Sequence, residues 1–259
     1  MANQTEENLA RSLTAETTDL LPFLPYLLQD LWELGTSPRD VVTLIKKYAP
    51  LSPNTKVLDI ACGKGAISIN IASHLGLTTH GIDIIPEFIT YATQKSHQLN
   101  VSNLCSFQLG DANELIQTAK NYDIAIFGAA GNILGTPQET LAKLSATIKS
   151  GGHIIIDEAY LPDNFTNSQV KYKNYEYLTR SQWLNLFKSN NLTLLEELQN
   201  TEDYDFDSDT NAIAQRASEL SEKHPEKRTM FESYVQSQLN ECEDLENNIT
   251  AITWILQKL

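Results

Sequence analysis

The sequence predicts an α/β fold, a mostly parallel sheet of seven strands with the last strand antiparallel and helices on both faces. Three observations predict it. From Lys56 onward, short β-rich runs alternate with helical runs, the signature of βαβ units. The run DIAIFG at residues 123–128 is apolar enough for burial on both faces, as strands of parallel sheets are. With 259 residues, 41% of them apolar, the chain is long enough to bury such a core.

The elements follow in order. Residues 20–34 and 39–48 read as two N-terminal helices, the second opened by Ser37-Pro38. KVLDI (56–60) is the first strand, and Ile67, Ile71 and Leu75 make the apolar stripe of the helix that follows. THGID (79–83) is the second strand; Pro86 opens a helix with Phe88, Ala92 and Leu99 on one face. LCSFQLGD (104–111) and DIAIFG are the third and fourth strands. Thr136 and Glu139 form a capping box for a helix running through Leu141, Leu144 and Ile148. Gly151-Gly152 ends it, and HIIID (153–157) is the fifth strand.

After Tyr160 the rhythm changes. A polar loop with Tyr172, Tyr175 and Tyr177 leads to a second capping box at Thr179 and Gln182, whose helix buries Trp183, Leu184 and Phe187. LTLLEEL (192–198) and ITAITWIL (249–256) are the sixth and seventh strands. Between them lie an acidic loop, TEDYDFDSD, and two helical stretches, 212–223 and 226–247, divided by Pro225. Residues 1–50 thus form an N-terminal helical cover, 51–200 the core, 201–248 a helical insertion and 249–259 the core's last strand.

Charge and cysteine usage exclude several classes of function. The formal net charge is -14, with 33 acidic residues against 19 Lys and Arg; such a surface repels nucleic acid and anionic lipid. Cys62, Cys105 and Cys242 are too few and scattered for a disulfide framework or a metal knuckle, so no metal is expected. They fit a reducing cytoplasm. The first twenty residues lack a basic region followed by an apolar core, and the next apolar stretch is broken by Pro22, Pro25, Asp30 and Glu33; neither an export signal nor a membrane span is expected.

The chemistry-bearing segment is VLDIACGKG (57–65), a strand running into a turn of small residues and then a helix. Gly63 and Gly65 let a ligand approach the backbone, and the helix N-terminus offers free N–H groups. Asp83, about 20 residues after Gly63 at the end of the next strand, is placed to accept two ribose hydroxyls. A nicotinamide dinucleotide site shares both features, but its fingerprint wants a third glycine where this chain has Ser68.

VLDIACGKG resembles the first motif of the class I, Rossmann-like S-adenosylmethionine-dependent methyltransferases, small-molecule type, with Asp59 as its acid, Gly63 and Gly65 as its later glycines and Ala61 in place of its first. The resemblance extends from about Val57 to Tyr160. GIDI around Asp83 resembles the second motif and Gly110-Asp111-Ala112 the third, where the acid and the next N–H read the adenine edge. YDIAIFGAAGNILG (122–135) resembles the fourth, with Phe127, Gly128 and Ala129 along the methionine arm. The resemblance implies S-adenosyl-L-methionine as cofactor, bound by Asp59, Ala61, Cys62, Gly63, Gly65, Asp83, Ile84, Asp111, Ala112, Phe127, Gly128 and Ala129, and a small-molecule acceptor. WELGTS (32–37) resembles the short turn that in many small-molecule members folds over the cofactor, which implies that Tyr26, Trp32, Leu34 and Gly35 cover the sulfonium or line the acceptor site; an amphipathic helix ending at a glycine explains the same residues.

Methyl transfer from a sulfonium asks chiefly for alignment, and an acid–base group helps only where the nucleophile carries a proton. No spacing locates such a base. The candidates are Asp157 and Glu158 at the end of the fifth strand, Tyr160 just beyond, and His224 in the insertion. Competing readings are a dinucleotide-dependent oxidoreductase on a related fold and a cofactor-binding protein without turnover. The N-terminal helices and the insertion are expected to form a lid over the acceptor. The acceptor molecule and the oligomeric state are not legible.

Overall fold

The computed structural model describes residues 4–199 and 206–259; the first part of the expected acidic loop, 201–205, lies outside the described residues. In chain order the elements are α1 (Gln4–Ser12), a 3-10 turn (Thr18–Phe23), α2 (Leu24–Leu27), α3 (Pro38–Tyr48), β1 (Lys56–Ile60), α4 (Ala66–Leu75), β2 (Thr78–Asp83), α5 (Pro86–Gln98) and β3 (Cys105–Leu109). They continue with α6 (Ala112–Leu115), β4 (Tyr122–Gly128), α7 (Pro137–Thr147), β5 (Ile148–Tyr160), α8 (Arg180–Ser189), β6 (Leu192–Gln199), α9 (Phe206–Lys223), a 3-10 turn (Pro225–Lys227), α10 (Arg228–Asn247) and β7 (Thr250–Lys258).

The chain divides into two compact units. One comprises Glu33–Glu158, Ser181–Gln199 and Ile252–Leu259. It carries a seven-stranded sheet in the order β3-β2-β1-β4-β5-β7-β6. β3, β2, β1, β4 and β5 are mutually parallel, whereas β7 runs antiparallel to β6. One core cluster joins Val41, Leu44 and Ile45 of α3 and Ile71 of α4 to Val57, Ile124, Ile126, Ile155 and Ile255 of the sheet. Trp254 of β7 packs against Trp183 and Phe187 of α8, with ring centroids 5.3 Å away in both cases; Leu184 is only partly buried.

The other unit comprises Ala159–Arg180 with the described parts of residues 1–32 and 200–251. α9 and α10 bury Ile213, Ala217, Leu220, Phe231 and Tyr234. Phe23 meets Phe231 edge-on at 5.1 Å, and the Arg216 guanidinium bridges Asp30 and Glu219.

The count of seven strands, the α7 capping box and the break at Pro225 match expectation, and other details do not. α9 begins at Phe206, within the expected acidic loop, where Asp207 and Asp209 suit the first turn of a helix. Residues 20–34 are not one helix: Pro22 and Pro25 remove backbone donors, leaving a 3-10 turn and the single turn α2. α1 was not expected, because its sequence is polar and only Ala10 of it is buried. α7 stops at Thr147, and Ile148 through Gly152 belong to β5, where Ile148 pairs with Tyr122 and a register shift follows. Leu99 caps α5 and is 43% exposed, so it is not part of the buried face.

The turn after β1 carries backbone strain. Ala61 has φ +58°, a left-handed conformation that costs an L-residue roughly 1–2 kcal/mol. Glycine there costs about 0.4–1 kcal/mol through the unfolded chain. Relief exceeds that cost, so Ala61→Gly should stabilise the protein by about 0.5–1 kcal/mol. Chemical denaturation of the full chain measures it, and a loss of stability would show that the Ala61 methyl group contributes more by packing than its backbone costs.

Candidate active site

The site is built on one edge of the sheet, where the parallel strands deliver their carboxyl ends side by side. Beyond β1, Cys62 N–H donates to the Ile82 carbonyl and Gly65 N–H to the Cys62 carbonyl, both at 2.9 Å. Gly63 N–H donates to Asp83 Oδ2 at 2.8 Å. Ile85 N–H donates to Asp83 Oδ1 at 2.9 Å. These bonds fix the carboxylate and occupy one acceptor position on each oxygen. Burial raises the Asp83 pKa, while the N–H groups of Ile85, Gly63 and Ile84 oppose the shift.

Asp59 lies beneath the turn rather than in it. It is 1% exposed and accepts the Ser68 hydroxyl at 2.7 Å. Burial pushes its pKa up to about 6, and the Ser68 hydroxyl and N–H hold it down. The residue that departs from the dinucleotide fingerprint is therefore the one that ties β1 to α4. Gly65, with φ +74°, has no room for a side chain: an added Cβ would lie 2.8 Å from Ala92 Cβ and 2.9 Å from the Phe107 ring. Lys64, between the two glycines, folds back with its Nζ 5.2 Å from the Tyr91 ring centroid and 5.7 Å from that of Phe88.

The other expected residues occupy neighbouring strand ends. Asp111 caps α6, its Oδ1 accepting Asn113 N–H at 2.8 Å; Ala112 beside it is 8% exposed. Phe127 is buried, and Ala129 is left-handed with φ +47°. Residues 34–36 lie against the same ends. A Cβ on Gly63 would lie 3.2 Å from Leu34 Cδ1, one on Gly35 2.7 Å from Ala129 Cβ, and one on Gly128 would strike Thr36. The Thr36 hydroxyl is buried without a hydrogen-bond partner. Leu34 was a sequence candidate; Thr36 was not, since nothing in WELGTS shows that its side chain turns toward the strand ends.

Among the proton-transfer candidates, Asp157 is set apart by its surroundings. It pairs with Gly128 across the sheet, and its carbonyl accepts Ala129 N–H at 3.2 Å. Thr253 of β7 donates to its Oδ2 at 2.6 Å. Burial and, to a lesser degree, the charge of Asp40 push its pKa up to about 7 despite that bond. Glu158 is half-buried on the next position of β5. Tyr160 and His224 belong to the helical unit, where His224 stands edge-on to Phe23 at 5.4 Å and 3.8 Å from Glu226. Asp157 thus joins a raised pKa to a place beside the end of β4.

The chain is similar to several known proteins. A probable cobalt-precorrin-6B C(15)-methyltransferase (decarboxylating) of Methanothermobacter thermautotrophicus is 28% identical over 131 residues, 51% of this chain and 66% of that protein. The uncharacterized protein YjhP of Escherichia coli is 32% identical over 124 residues, 44% of this chain and 48% of that protein. The chain thus spans only part of the curated relatives it matches. The crystal structure of a SAM-dependent methyltransferase from Geobacter sulfurreducens with S-adenosyl-L-homocysteine superposes with a TM-score of 0.76 at 20% identity, covering 92% of this chain and 98% of that one. The methyltransferase domain family matches residues 51–233. The chain belongs to that family, and its strand-end motifs are those of the class I, S-adenosylmethionine-dependent methyltransferases.

Proposed function

We propose that this protein transfers the methyl group of S-adenosylmethionine to a small-molecule acceptor. The observation that carries the reading is the anchored Asp83 carboxylate facing the Gly63 turn. A carboxyl held in place by the Gly63 and Ile85 N–H groups at a strand end suits the vicinal hydroxyls of a ribose. Gly63 and Gly65, with Ala61 and Cys62 between strand and helix, let a nucleoside lie against the backbone, and Asp59 holds the turn from beneath through Ser68. Asp111, Ala112 and Ile84 border the base, and Phe127, Gly128, Ala129 and Gly35 border the amino-acid arm. The bound sulfonium supplies an already activated methyl group, so the chain's own work is to align, desolvate and receive a proton.

The receiving group is Asp157. A carboxyl titrating near pH 7 is matched to general-base catalysis at neutral pH, and its place beside Gly128 puts it next to the arm that would carry the methyl group. The acidic surface, with a net charge of -14, favours a small acceptor over a polynucleotide. No helix among the described residues is long and apolar enough to cross a membrane, and the three free cysteines suit a reducing cytoplasm.

Two outcomes test this reading. Asp83→Asn keeps the shape of the side chain and removes its charge; hydrogen bonds to a charged acceptor are worth about 1.5–3 kcal/mol net, so affinity for S-adenosylhomocysteine should fall at least tenfold by calorimetry. Unchanged affinity would return Asp83 to a purely structural part in the turn. With an acceptor identified by labelled-methyl transfer into a metabolite extract, kcat/KM should rise with pH through about 7, because only the ionised Asp157 accepts a proton. Asp157→Asn should remove that rise and lower the rate about 100-fold or more; a rise that persists in the variant assigns proton removal to another group.

A further inference from the structure

The segment expected to border the base is held by a tie that lies outside the motifs of the site. α6 has four residues, of which only Ala112 is buried. So short a helix has no stability of its own, and its place after β3 comes from bonds to other segments. One side chain makes several of them. Asn113 N–H and the Asn113 side-chain amide both donate to Asp111 Oδ1, at 2.8 and 3.3 Å. Asn113 Nδ2 also donates to the Ile133 carbonyl, in the loop after β4, at 2.8 Å. Lys143 Nζ, from α7, donates to Asn113 Oδ1 at 2.9 Å.

Lys143 decides which way that amide faces. An ammonium group only donates, so the amide oxygen belongs on its side and the amide nitrogen on the side of the Ile133 carbonyl and the Asp111 carboxyl. The flipped amide would set its oxygen against those two acceptors. Lys143 Nζ donates as well to the Leu134 carbonyl at 2.6 Å, which seats the ammonium against the same loop. Asn113 thus joins α6 to the loop after β4 and to α7, and its two bonds to Oδ1 restrain rotation of the Asp111 carboxyl.

We propose that Asn113, oriented by Lys143, is a positioning residue for nucleobase recognition, fixing the Asp111 carboxyl and the Ala112 N–H at the spacing of an adenine edge. The inference rests on the reading of this sheet edge as the site of an S-adenosyl group. Adenine offers a 6-amino donor beside the N1 acceptor, the match for a carboxyl oxygen and an N–H; a 6-oxopurine reverses both. A purely structural tie would weaken both purines alike, whereas a positioning residue alters the choice between them.

Calorimetry on the full chain with S-adenosyl-L-homocysteine and S-inosyl-L-homocysteine, beside thermal unfolding, reads that choice. The unaltered chain should favour the adenosyl ligand by about tenfold or more. Asn113→Ala and Lys143→Met should each cut the preference to about threefold or less, and the double variant should match Asn113→Ala alone, because Lys143 acts through Asn113. If Asn113→Ala does not fold, Lys143→Met alone gives the answer. Equal binding of the two ligands by the unaltered chain overturns the proposal, as do variants that lose stability with the preference intact, or a double variant in which the two losses add. A chain that binds neither ligand overturns the functional reading, and this inference with it.

Discussion

The bonds from Gly63 and Ile85 N–H to one carboxylate, Asp83, couple the first βα turn to the end of the second strand. Everything at that edge takes its position from this coupling. The turn fixes where α4 begins, and Ser68 on the first turn of α4 reaches back to Asp59 under the strand. A second tie runs the other way: the Asp83 carbonyl accepts Gly110 N–H at 2.9 Å, which sets the loop after β3 by the same residue. Burial raises the pKa of this carboxyl and its N–H donors oppose the shift, so the group that organises the backbone here is also tuned by it.

Much of the sheet is legible in the sequence because parallel strands buried on both faces leave apolar runs that few other environments select. KVLDI and DIAIFG are such runs, and the Thr136 capping box is satisfied as its spacing implies. The errors share a cause. Helix at 20–34 follows from apolar spacing alone, and spacing does not register the two donors that Pro22 and Pro25 lack. Likewise, Gly151-Gly152 signals a break, yet the sheet absorbs both residues because Ile148 finds a partner in Tyr122; tertiary pairing overrides the local signal.

In the candidate site, the residues found by motif are the glycines of tight turns and the acids at strand ends, which leave a mark in the sequence itself. Thr36, Lys64 and Thr253 were not found. Their roles depend on contacts between segments distant in sequence: Thr253 reaches Asp157 from β7, and Thr36 lies against Gly128. Asp157 was one of four candidates, and the Thr253 hydroxyl that binds its carboxyl is visible only in three dimensions.

The strand order has a consequence for biogenesis. β7 lies between β5 and β6 yet follows α9 and α10 in the chain. On a ribosome, β6 emerges before the strand that joins it to the sheet, and the whole helical segment must be synthesised in between. Until β7 arrives, the nascent chain exposes two open sheet edges and the Trp183 and Phe187 side chains that Trp254 later covers. Unpaired edges and exposed aromatic surface are what holding chaperones recognise and what promotes aggregation. Sheet closure is accordingly a late event in the life of each molecule.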